Sequence, residues 1–558
     1  MLVTSRAARI AAALLLTAGL AAAQIAPQSP PRIRSIIIRN DPLFSPDERL
    51  ELPLLPDMTA LFDLANLLHI DTKEEVIRRE LLVKEGDVAD PELIEESERN
   101  LRAEPYIRAV RVFTEPAPGG EVDIVVRTQD TWTTQPRASF SSGGGTTRSS
   151  FGIVESNLLG YGKRFRLLYR SGIDRTSSLF EYTDPRVLGS RWLASGNYQD
   201  TSDGRVAEGL LEYPFYALGT PWGGGTGYSS RREENRVFGH FGDELARFRR
   251  KQERFVARVG HRIAGDSSVV WRAGLSYRRR EASFGHLSAG ASPLLLPFDR
   301  RESAPGIFVH REEINFVREK HLNLFDRIED LNLGNVFDAE MSYSSRAFGA
   351  LENEPIFTLS DRQGFDLGPG RKAFLYVFAS GRHHDGDLRN AVAEGEGIVY
   401  YRLPFAYDNT LVMRAKFDWA RNLDRDTQLI LGNFNGLRGF DTRQFVGEKR
   451  LVFNLEDRVF FVNDLFHLVS LGAVVFFDSG YVWDRNQGVQ LARMASSVGI
   501  GLRLDAPRGS GEALFRIDLA VPISDGGSGR HGPAITLSSG QAFDAFDGPF
   551  DLQTNSGR

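Results

Sequence analysis

Cysteine is absent from the 558 residues of this chain, so neither disulfide bonds nor thiolate metal sites can hold the fold together. The charges nearly balance, with 68 basic and 73 acidic residues and a formal net charge of -5. Because no basic block stands out among them, nucleic acid is not an expected partner. Beyond the N-terminal leader there is no long uncharged apolar run, which in an exported protein leaves a soluble fold or a closed β-barrel.

The signatures of common enzyme classes are missing as well. The sequence contains no Gly-x-Ser-x-Gly elbow, no His-Glu-x-x-His zinc helix and no phosphate-binding loop. His383, His384 and Asp385 could ligate a metal, but their Gly/Arg/Asp-rich surroundings favour a solvated turn. We therefore expect no enzymatic activity, no catalytic residue, no metal and no cofactor.

The N-terminus carries the pattern of an export signal. Arg6 and Arg9 precede an apolar run over residues 10–23 that ends in three alanines, a small-residue cleavage pattern. The run is shorter than the roughly 20 residues of a membrane-spanning helix. The sequence therefore predicts a signal peptide over residues 1–23 and a proline-rich linker over residues 24–32.

A small α+β domain is predicted after the linker, in the order strand, helix, helix, strand, strand. Thr72 followed by Glu75 is a capping-box pair, which predicts a helix over residues 73–84. Asp90, placed before a proline, predicts that a second helix covers residues 91–103.

Alternating segments flank these helices. Residues 33–39 predict the first strand, and two more strands follow the helices around a turn at residues 116–120. The connection over residues 42–70 is long, and leucines at helical spacing indicate a further short helix within it. These leucines are Leu61, Leu64, Leu67 and Leu68.

The remainder of the chain, residues 136–543, is a succession of alternating segments separated by glycine-rich and charged turns. A membrane barrel directs the apolar side chains of such segments toward lipid and the charged ones toward its lumen. At roughly 9 to 11 residues per strand, this length allows about 16 to 20 strands. One clear example alternates Arg164, Arg166 and Arg170 with Phe165, Leu167 and Tyr169.

The chain is rich in aromatic residues, with 38 phenylalanines, 15 tyrosines and 6 tryptophans, and many of them lie at the ends of predicted strands. Aromatic rings of membrane barrels gather at the two lipid–water boundaries. Four tryptophans are candidates for these positions, namely Trp192, Trp271, Trp419 and Trp483.

Two short segments of the C-terminal region resemble the paired signatures of the BamA/TamA outer-membrane assembly superfamily. Residues 431–440 read LGNFNGLRGF, and residues 476–483 read FFDSGYVW. Residues 151–162 resemble the first barrel hairpin of the superfamily, and residues 539–543 resemble its closing strand with a terminal aromatic residue. The order of elements in the N-terminal domain resembles a POTRA domain, the periplasmic module of the same superfamily.

The resemblance implies a mainly β chain with two domains. A POTRA-like α+β domain would occupy residues 33–129, and a membrane-spanning antiparallel β-barrel of about sixteen strands would occupy residues 130–543. A C-terminal tail, residues 544–558, departs from the superfamily pattern, which ends at the aromatic residue. The implied location is the Gram-negative outer membrane, with the POTRA domain in the periplasm.

The resemblance also implies a contact inside the barrel, which we call the lumenal latch. Arg438 of the loop would pair with an acid on the barrel wall, with Asp478 as the first candidate and Glu456 as the second. The other candidate residues are the glycines Gly432, Gly436 and Gly439, the packing residue Phe440, the strand-end residues Phe476 and Gly480, and the closing-strand residues Gly540 and Phe543.

The implied function is the insertion or export of client proteins. Clients would pair with the edge of the POTRA sheet and with the seam between the first and last barrel strands, near residues 151–169 and 535–543. A dedicated secretion pore for one partner protein and a non-transporting outer-membrane scaffold are the alternatives. The implied partners are outer-membrane lipid, unfolded or extended polypeptides and, as further candidates, periplasmic chaperones or accessory proteins.

Overall fold

The predicted signal peptide, most of the predicted linker and the C-terminal tail lie outside the residues that the structure describes. Among the described residues, no helix has both the length and the apolar character needed to cross a membrane. The computed structural model describes residues 30–44, 59–143, 146–325, 327–404, 407–510, 514–524, 526–527 and 532–543.

The N-terminal domain is a small sheet covered by helices. Its elements are β1 (Ile33–Asp41), α1 (Thr59–Leu68), α2 (Glu74–Glu80), α3 (Pro91–Ala103), β2 (Ile107–Pro116) and β3 (Val122–Asp130). Strand β1 pairs in parallel with β3, and β3 pairs antiparallel with β2. Helix α1 is the short helix that the leucine spacing predicts. The core between sheet and helices contains Ile77, Leu101 and Ile124, all buried.

The two main helices form, but only one has the predicted cap. The carboxylate of Asp90 accepts a hydrogen bond from the Glu92 amide at 2.9 Å, and α3 covers the predicted residues. The capping box predicted for α2 is wrong, because no side chain caps this helix, and the helix ends early, at Glu80. The hydroxyl of Thr72 instead accepts from Asn157 in a barrel turn at 2.8 Å, since the domain contacts the barrel there.

Twenty antiparallel strands close into a barrel. They are β4 (Thr134–Gly143), β5 (Thr146–Glu155), β6 (Arg164–Ser171), β7 (Thr176–Asp184), β8 (Leu193–Thr201), β9 (Gly204–Tyr213), β10 (Trp222–Phe238), β11 (Glu244–Gly265), β12 (Val269–Gly285), β13 (Arg300–Glu313), β16 (Asn335–Ser344), β17 (Glu354–Asp366), β18 (Arg371–His384), β19 (Asp387–Pro404), β20 (Asp408–Arg421), β23 (Lys449–Leu465), β24 (Val469–Trp483), β25 (Ala495–Asp505), β26 (Phe515–Ser524) and β27 (Ala534–Ser539). Four short strands lie outside the wall, namely β14 (Phe316–Glu319), β15 (Glu329–Asn332), β21 (Leu429–Leu431) and β22 (Phe445–Gly447).

The number of about sixteen strands, which the resemblance implies, is wrong. The strands β4 to β9 are only 8 to 10 residues long, so six of them fit into residues 134–213. The estimate from chain length, about 16 to 20 strands, includes the observed number at its upper limit.

The strand faces follow the predicted alternation. In β6, Leu167 and Tyr169 are exposed on the outer surface. Arg166, directly before Leu167, points to the other side and lies 3.6 Å from Glu181 of the neighbouring strand. Apolar side chains therefore face outward and charges face the lumen.

The predicted aromatic boundary is present at one end of the barrel. We call the end that contacts the N-terminal domain the near end, and the opposite end the far end. Trp192 and Trp271 are exposed at the near end, as predicted. Trp483 lies at the far end but is buried, stacked on Tyr481 with 5.3 Å between ring centroids, so it cannot face lipid.

Two connections leave the barrel wall and fold into the lumen. The far-end connection, residues 422–448, carries the hairpin of β21 and β22, and we call it the lumenal loop. The near-end connection, residues 314–334, carries the hairpin of β14 and β15, and we call it the near-end segment. Each buries apolar side chains against the inner wall, so polypeptide occupies the lumen from both ends.

The barrel closes through a short seam between β27 and β4. Their ladder has three residue pairs, from Ile535 with Ser142 to Leu537 with Phe140. Residues 151–169, expected beside the seam, lie in β5 and β6 instead. The first strand is β4, whose proline and three serines give it little strand character in the sequence.

The chain turns inward after the seam. Strand β27 ends at Ser539, so Gly540 and Phe543 lie beyond the closing strand. Gly540 has a φ of 77°, which ends the extended conformation. Phe543 is buried in the lumen, in a cluster with Leu322 of the near-end segment.

Candidate functional site

Glycines shape the tip of the lumenal loop. Gly436 and Gly439 have φ values of 110° and 89°, in the left-handed region that other residues avoid. A Cβ atom on Gly432 would lie 2.0 Å from the backbone oxygen of Asp441. Glycine at these positions lets the loop fold back on itself and bring Arg438 to the barrel wall.

Arg438 forms a bidentate ion pair with Asp478 on β24. Its Nε donates to Oδ2 at 2.7 Å, and its Nη2 donates to Oδ1 at 2.9 Å. The amide of Asn454 on β23 donates to the same carboxylate at 2.8 Å. The Arg438 and Asp478 side chains are both buried, and this paired geometry is the strong form of a charge-assisted hydrogen bond.

The remaining guanidinium nitrogen of Arg438 reaches two further acids. Nη1 lies 2.7 Å from Glu456 Oε1 and 3.4 Å from Asp518 Oδ2. The guanidinium carbon is 3.5 Å from the centroid of the Phe476 ring, within the range of a cation–π contact. The structure thus brings both candidate acids to Arg438 and adds Asp518, which the sequence analysis did not single out.

Three arginines on the wall balance the acids of the latch. Arg458 donates to Glu456 at 2.9 Å. Arg503 and Arg516 donate to Asp518 at 2.6 Å and 3.1 Å. Sequence reasoning missed all three, although strand alternation places Arg458 and Arg516 on the same inward faces as the acids two positions away.

Apolar packing accompanies the latch. Phe440 is buried in a cluster with Leu437 of the loop and Val452 of the wall. Gly480 lies beside this cluster, where a Cβ atom would come within 2.6 Å of the Leu431 side chain. Gly480 therefore permits the close approach of the loop to β24.

The lumenal loop also contacts both strands of the seam. The side-chain amide nitrogen of Asn433 lies 3.4 Å from the hydroxyl of Ser141 on β4 and 3.4 Å from that of Thr536 on β27. The amide of Gly439 donates to the side-chain oxygen of Asn433 at 3.3 Å. One side chain thus bridges the closure of the barrel and is tied to the residue next to Arg438.

Arg458 connects the latch to the near-end segment. Besides Glu456, it donates to the backbone oxygen of Leu322 and to the side chain of Asn323, both at 3.0 Å. It also donates to the backbone oxygen of Phe543 at 2.7 Å. A single buried guanidinium therefore holds the wall, the near-end segment and the residues after β27 together.

Helix α3 of the N-terminal domain contacts the same segment from outside. Arg102 forms an ion pair with Asp330, and Glu98 accepts from Arg318 at 3.0 Å. A path of side chains therefore runs from the N-terminal domain through the near-end segment and Arg458 to the latch.

Glu104, directly after α3, makes the N-terminal domain sensitive to pH. Burial and then the charge of Glu80 raise the pKa of the Glu104 carboxyl to about 7, while Arg186 and the hydrogen bond with Tyr106 act in the opposite direction. The folded state binds the proton of the Glu104 carboxyl more tightly than the unfolded state does. Protonation of Glu104 therefore stabilises the folded domain fully below pH 4.5, the ordinary pKa, and this stabilisation is lost as the pH rises to about 7.

We expect this loss to amount to no more than about 3 kcal/mol of unfolding free energy for the N-terminal domain, at about 1.36 kcal/mol per pKa unit. Glu104→Gln, which is neutral at every pH, is expected to remove the dependence. The urea midpoint can be followed with a fluorophore on a cysteine introduced at the exposed Thr114, since the chain has no other cysteine. If the urea midpoint changes with pH equally in the parent protein and in the glutamine variant, Glu104 is not the source of the pH dependence.

Two family models match the chain. Residues 376–543 match the Omp85 superfamily domain, and residues 69–129 match the surface antigen variable number repeat, the POTRA module. Together with the closed barrel, these matches define an outer-membrane barrel protein with a POTRA domain. These two matches confirm the predicted resemblance to the BamA/TamA group of the Omp85 superfamily.

Solved structures with a similar arrangement include BamA from Haemophilus ducreyi lacking POTRA domains 1–3, at 13% identity and a TM-score of 0.37, covering 91% of this chain and 84% of that one. CdiB from Acinetobacter baumannii has 11% identity and a TM-score of 0.44, covering 92% and 74%. CdiB from Escherichia coli has 12% identity and a TM-score of 0.43, covering 93% and 92%. No curated protein matches the chain. Likenesses at this level carry no argument about function.

Proposed function

We propose that this protein inserts or exports client polypeptides at the outer membrane by opening its barrel at the seam between β27 and β4. The observation that carries the proposal is the length of the seam: among the described residues it has three residue pairs, and every other ladder of the barrel is longer. Few backbone hydrogen bonds have to break when it opens. The sequence contains no phosphate-binding loop, so the folding and pairing of the client supply the free energy.

In the proposal, opening of the seam exposes the edge of β4. In the described part of the chain, the ladder to β27 covers residues 140–142 of this strand. An edge that opens offers its N–H and C=O groups to an extended chain whatever the sequence of that chain. This edge is the place where a client strand first pairs in the proposed mechanism.

The edges of the N-terminal sheet are less available than the resemblance implies. The amide of Ile36 on β1 donates to Glu85 at 3.1 Å, and the amide of Val112 on β2 donates to Glu98 at 3.0 Å. A client strand has to displace these carboxylates before it can pair there. In the proposal, this domain lies in the periplasm and is a secondary docking surface for clients, chaperones or accessory proteins.

The latch controls the seam through the lumenal loop in this proposal. Asn433 hydrogen-bonds across the seam only while the loop stays in the lumen, and Arg438 holds the loop there. When a client displaces the loop, the three-pair ladder remains as the main contact between the two strands.

The proposal is tested by a disulfide across the seam. Ser141 and Thr536 are register partners with 3.3 Å between their hydroxyl oxygens, so cysteines at both positions are expected to cross-link β4 to β27. Ser139 and Ser150, register partners on β4 and β5 with 2.7 Å between hydroxyl oxygens, provide a matched pair away from the seam. The measurement is the outer-membrane protein content of depleted cells that carry each variant.

We expect the oxidised seam variant to fail to restore outer-membrane protein content, and reduction to restore it, whereas the control pair functions in both states. Loss of one exported protein on depletion, with full rescue by the oxidised seam variant, would favour a secretion pore that works through the lumen. The observation that favours this second function is that two segments, which a passing client would have to displace, occupy the lumen. No change on depletion would favour a scaffold and contradict both transport functions.

A further inference from the structure

Helix α1 presents an apolar face that the rest of the described structure leaves exposed. Leu64, Leu67 and Leu68 are three and four residues apart, so they share one side of the helix, and all are exposed, Leu67 to 80%. The first turn of the helix carries no acid and its last turn no base. Soluble surfaces rarely keep large apolar side chains together in this way.

The opposite face of α1 attaches the helix to the near end of the barrel. Phe62 is buried in a small cluster against which Trp132 packs. The ring of His467, in the turn between β23 and β24, has its centroid 6.5 Å from that of Phe62. Directly after the helix, His69 lies 3.1 Å from the carboxylate of Asp130 at the end of β3. The helix therefore has a fixed position beside the barrel.

Trp132 indicates the depth of this position relative to the membrane. Trp192, Trp222 and Trp271 are exposed within three residues of the near ends of β8, β10 and β12. Trp132 stands two residues before β4 and belongs to the outward side of that strand, with the exposed Phe140. Because tryptophan gathers at the lipid–water boundary, α1 rests at the level of that boundary.

The outer surface of the barrel beside this contact is apolar. Leu468, next to His467, is exposed, and so are Ile500 and Leu502 on the neighbouring strand β25. In an outer-membrane barrel, outward apolar side chains at strand positions meet acyl chains. Helix α1 is thus attached to the barrel beside a surface of the kind that contacts lipid.

We propose that α1 is an interfacial helix whose Leu64, Leu67 and Leu68 lie among the acyl chains of the membrane leaflet at the near end. Amphipathic helices bind in this way, with the apolar side sunk to the boundary between headgroups and acyl chains. The helix anchors the N-terminal domain to lipid beside the seam. This inference does not depend on whether the seam opens.

The absence of cysteine allows a direct test with single introduced cysteines in the full chain. Leu67→Cys carries an environment-sensitive fluorophore, and the protein is reconstituted into phosphatidylcholine vesicles with and without nitroxide-labelled acyl chains. Leu275→Cys, at an outward barrel position that is 63% exposed, is the lipid control. Thr114→Cys, exposed on the N-terminal domain, is the water control.

We expect the nitroxide lipids to quench the label at residue 67 to within about twofold of the quenching at residue 275, and to leave the label at residue 114 unquenched. Absence of quenching at residue 67 overturns the proposal, and the emission wavelength of the label then shows where the helix lies. An emission as red as that at residue 114 places the helix in water, and a blue-shifted emission without quenching places it under polypeptide. Leu64→Cys provides a second position on the same face if the first variant does not fold.

Discussion

Arg438→Ala is expected to release the lumenal loop while the barrel stays closed around it. Removing one partner of a buried ion pair costs about 3 to 5 kcal/mol, because the other charge stays buried without compensation. The loop also loses its bidentate contact with Asp478 on the wall. Trypsin is therefore expected to cleave after Arg443, which lies in the same loop and is ion-paired to Asp174 while the loop is in place.

The cost of Arg438→Ala has an identifiable source. Glu456 keeps Arg458, and Asp518 keeps Arg503, when the guanidinium of Arg438 is removed. Asp478 keeps only the hydrogen bond from the Asn454 amide among its side-chain contacts described above. Asp478 is therefore the acid left without a balancing charge.

A second substitution separates stability from the holding of the loop. Adding Asp478→Asn to Arg438→Ala removes the uncompensated charge, so most of the lost unfolding free energy is expected to return. Cleavage after Arg443 is expected to persist, because the neutral pair cannot pin the loop. Arg346→Ala, which breaks an exposed far-end ion pair with Glu352, is the control and is expected to cost less than about 1 kcal/mol.

Protection of Arg443 from trypsin in Arg438→Ala, at the level of the parent protein, would show that the loop stays in the lumen without the latch. In that case apolar packing around Phe440 suffices to hold it. Failure of Asp478→Asn to restore stability would show that the buried charge of Asp478 is not the source of the cost.

The sequence contains enough to predict the plan of the fold and the centre of the site. Alternation along the chain indicates a barrel because each strand has one apolar and one charged face, and the Asp90 cap and the strands of the N-terminal domain are local signals. Arg438 and Asp478 follow from the resemblance, and Glu456 follows from its inward position on β23. These features depend on residues near in sequence or on motifs that can be read directly.

The remaining features depend on contacts between distant parts of the chain. Thr72 does not cap α2 because Asn157 of the barrel binds its hydroxyl. The near-end segment turns inward around Glu329, whose carboxylate accepts from the amides of Leu322 and Asn323, an arrangement without a sequence signature. Phe543 enters the lumen because Arg458, 85 residues away, binds its backbone oxygen. None of these follows from periodicity.

Arg458→Met is expected to release the near-end segment and the residues after β27 from the wall. The variant keeps the stem of the side chain but loses four hydrogen bonds, to Glu456, Leu322, Asn323 and Phe543. We expect a loss of about 3 to 5 kcal/mol in the free energy of unfolding, as for other broken buried ion pairs. Faster proteolysis after Arg318, at the near end, is the measurement, and the site after Arg443 is expected to stay protected.

The two arginines are expected to act non-additively because they share Glu456. Each single variant leaves this acid with one close arginine, whereas the double variant leaves only Arg503, whose Nη2 is 3.9 Å away. The double variant is therefore expected to lose about 1 to 3 kcal/mol more than the sum of the single losses, and to conduct ions in planar bilayers because both lumenal segments are free. In a Glu456→Gln background the excess is expected to disappear. Additive losses in the parent background would mean that the two segments are held independently, and that a change at the N-terminal domain cannot reach the lumenal loop through Arg458.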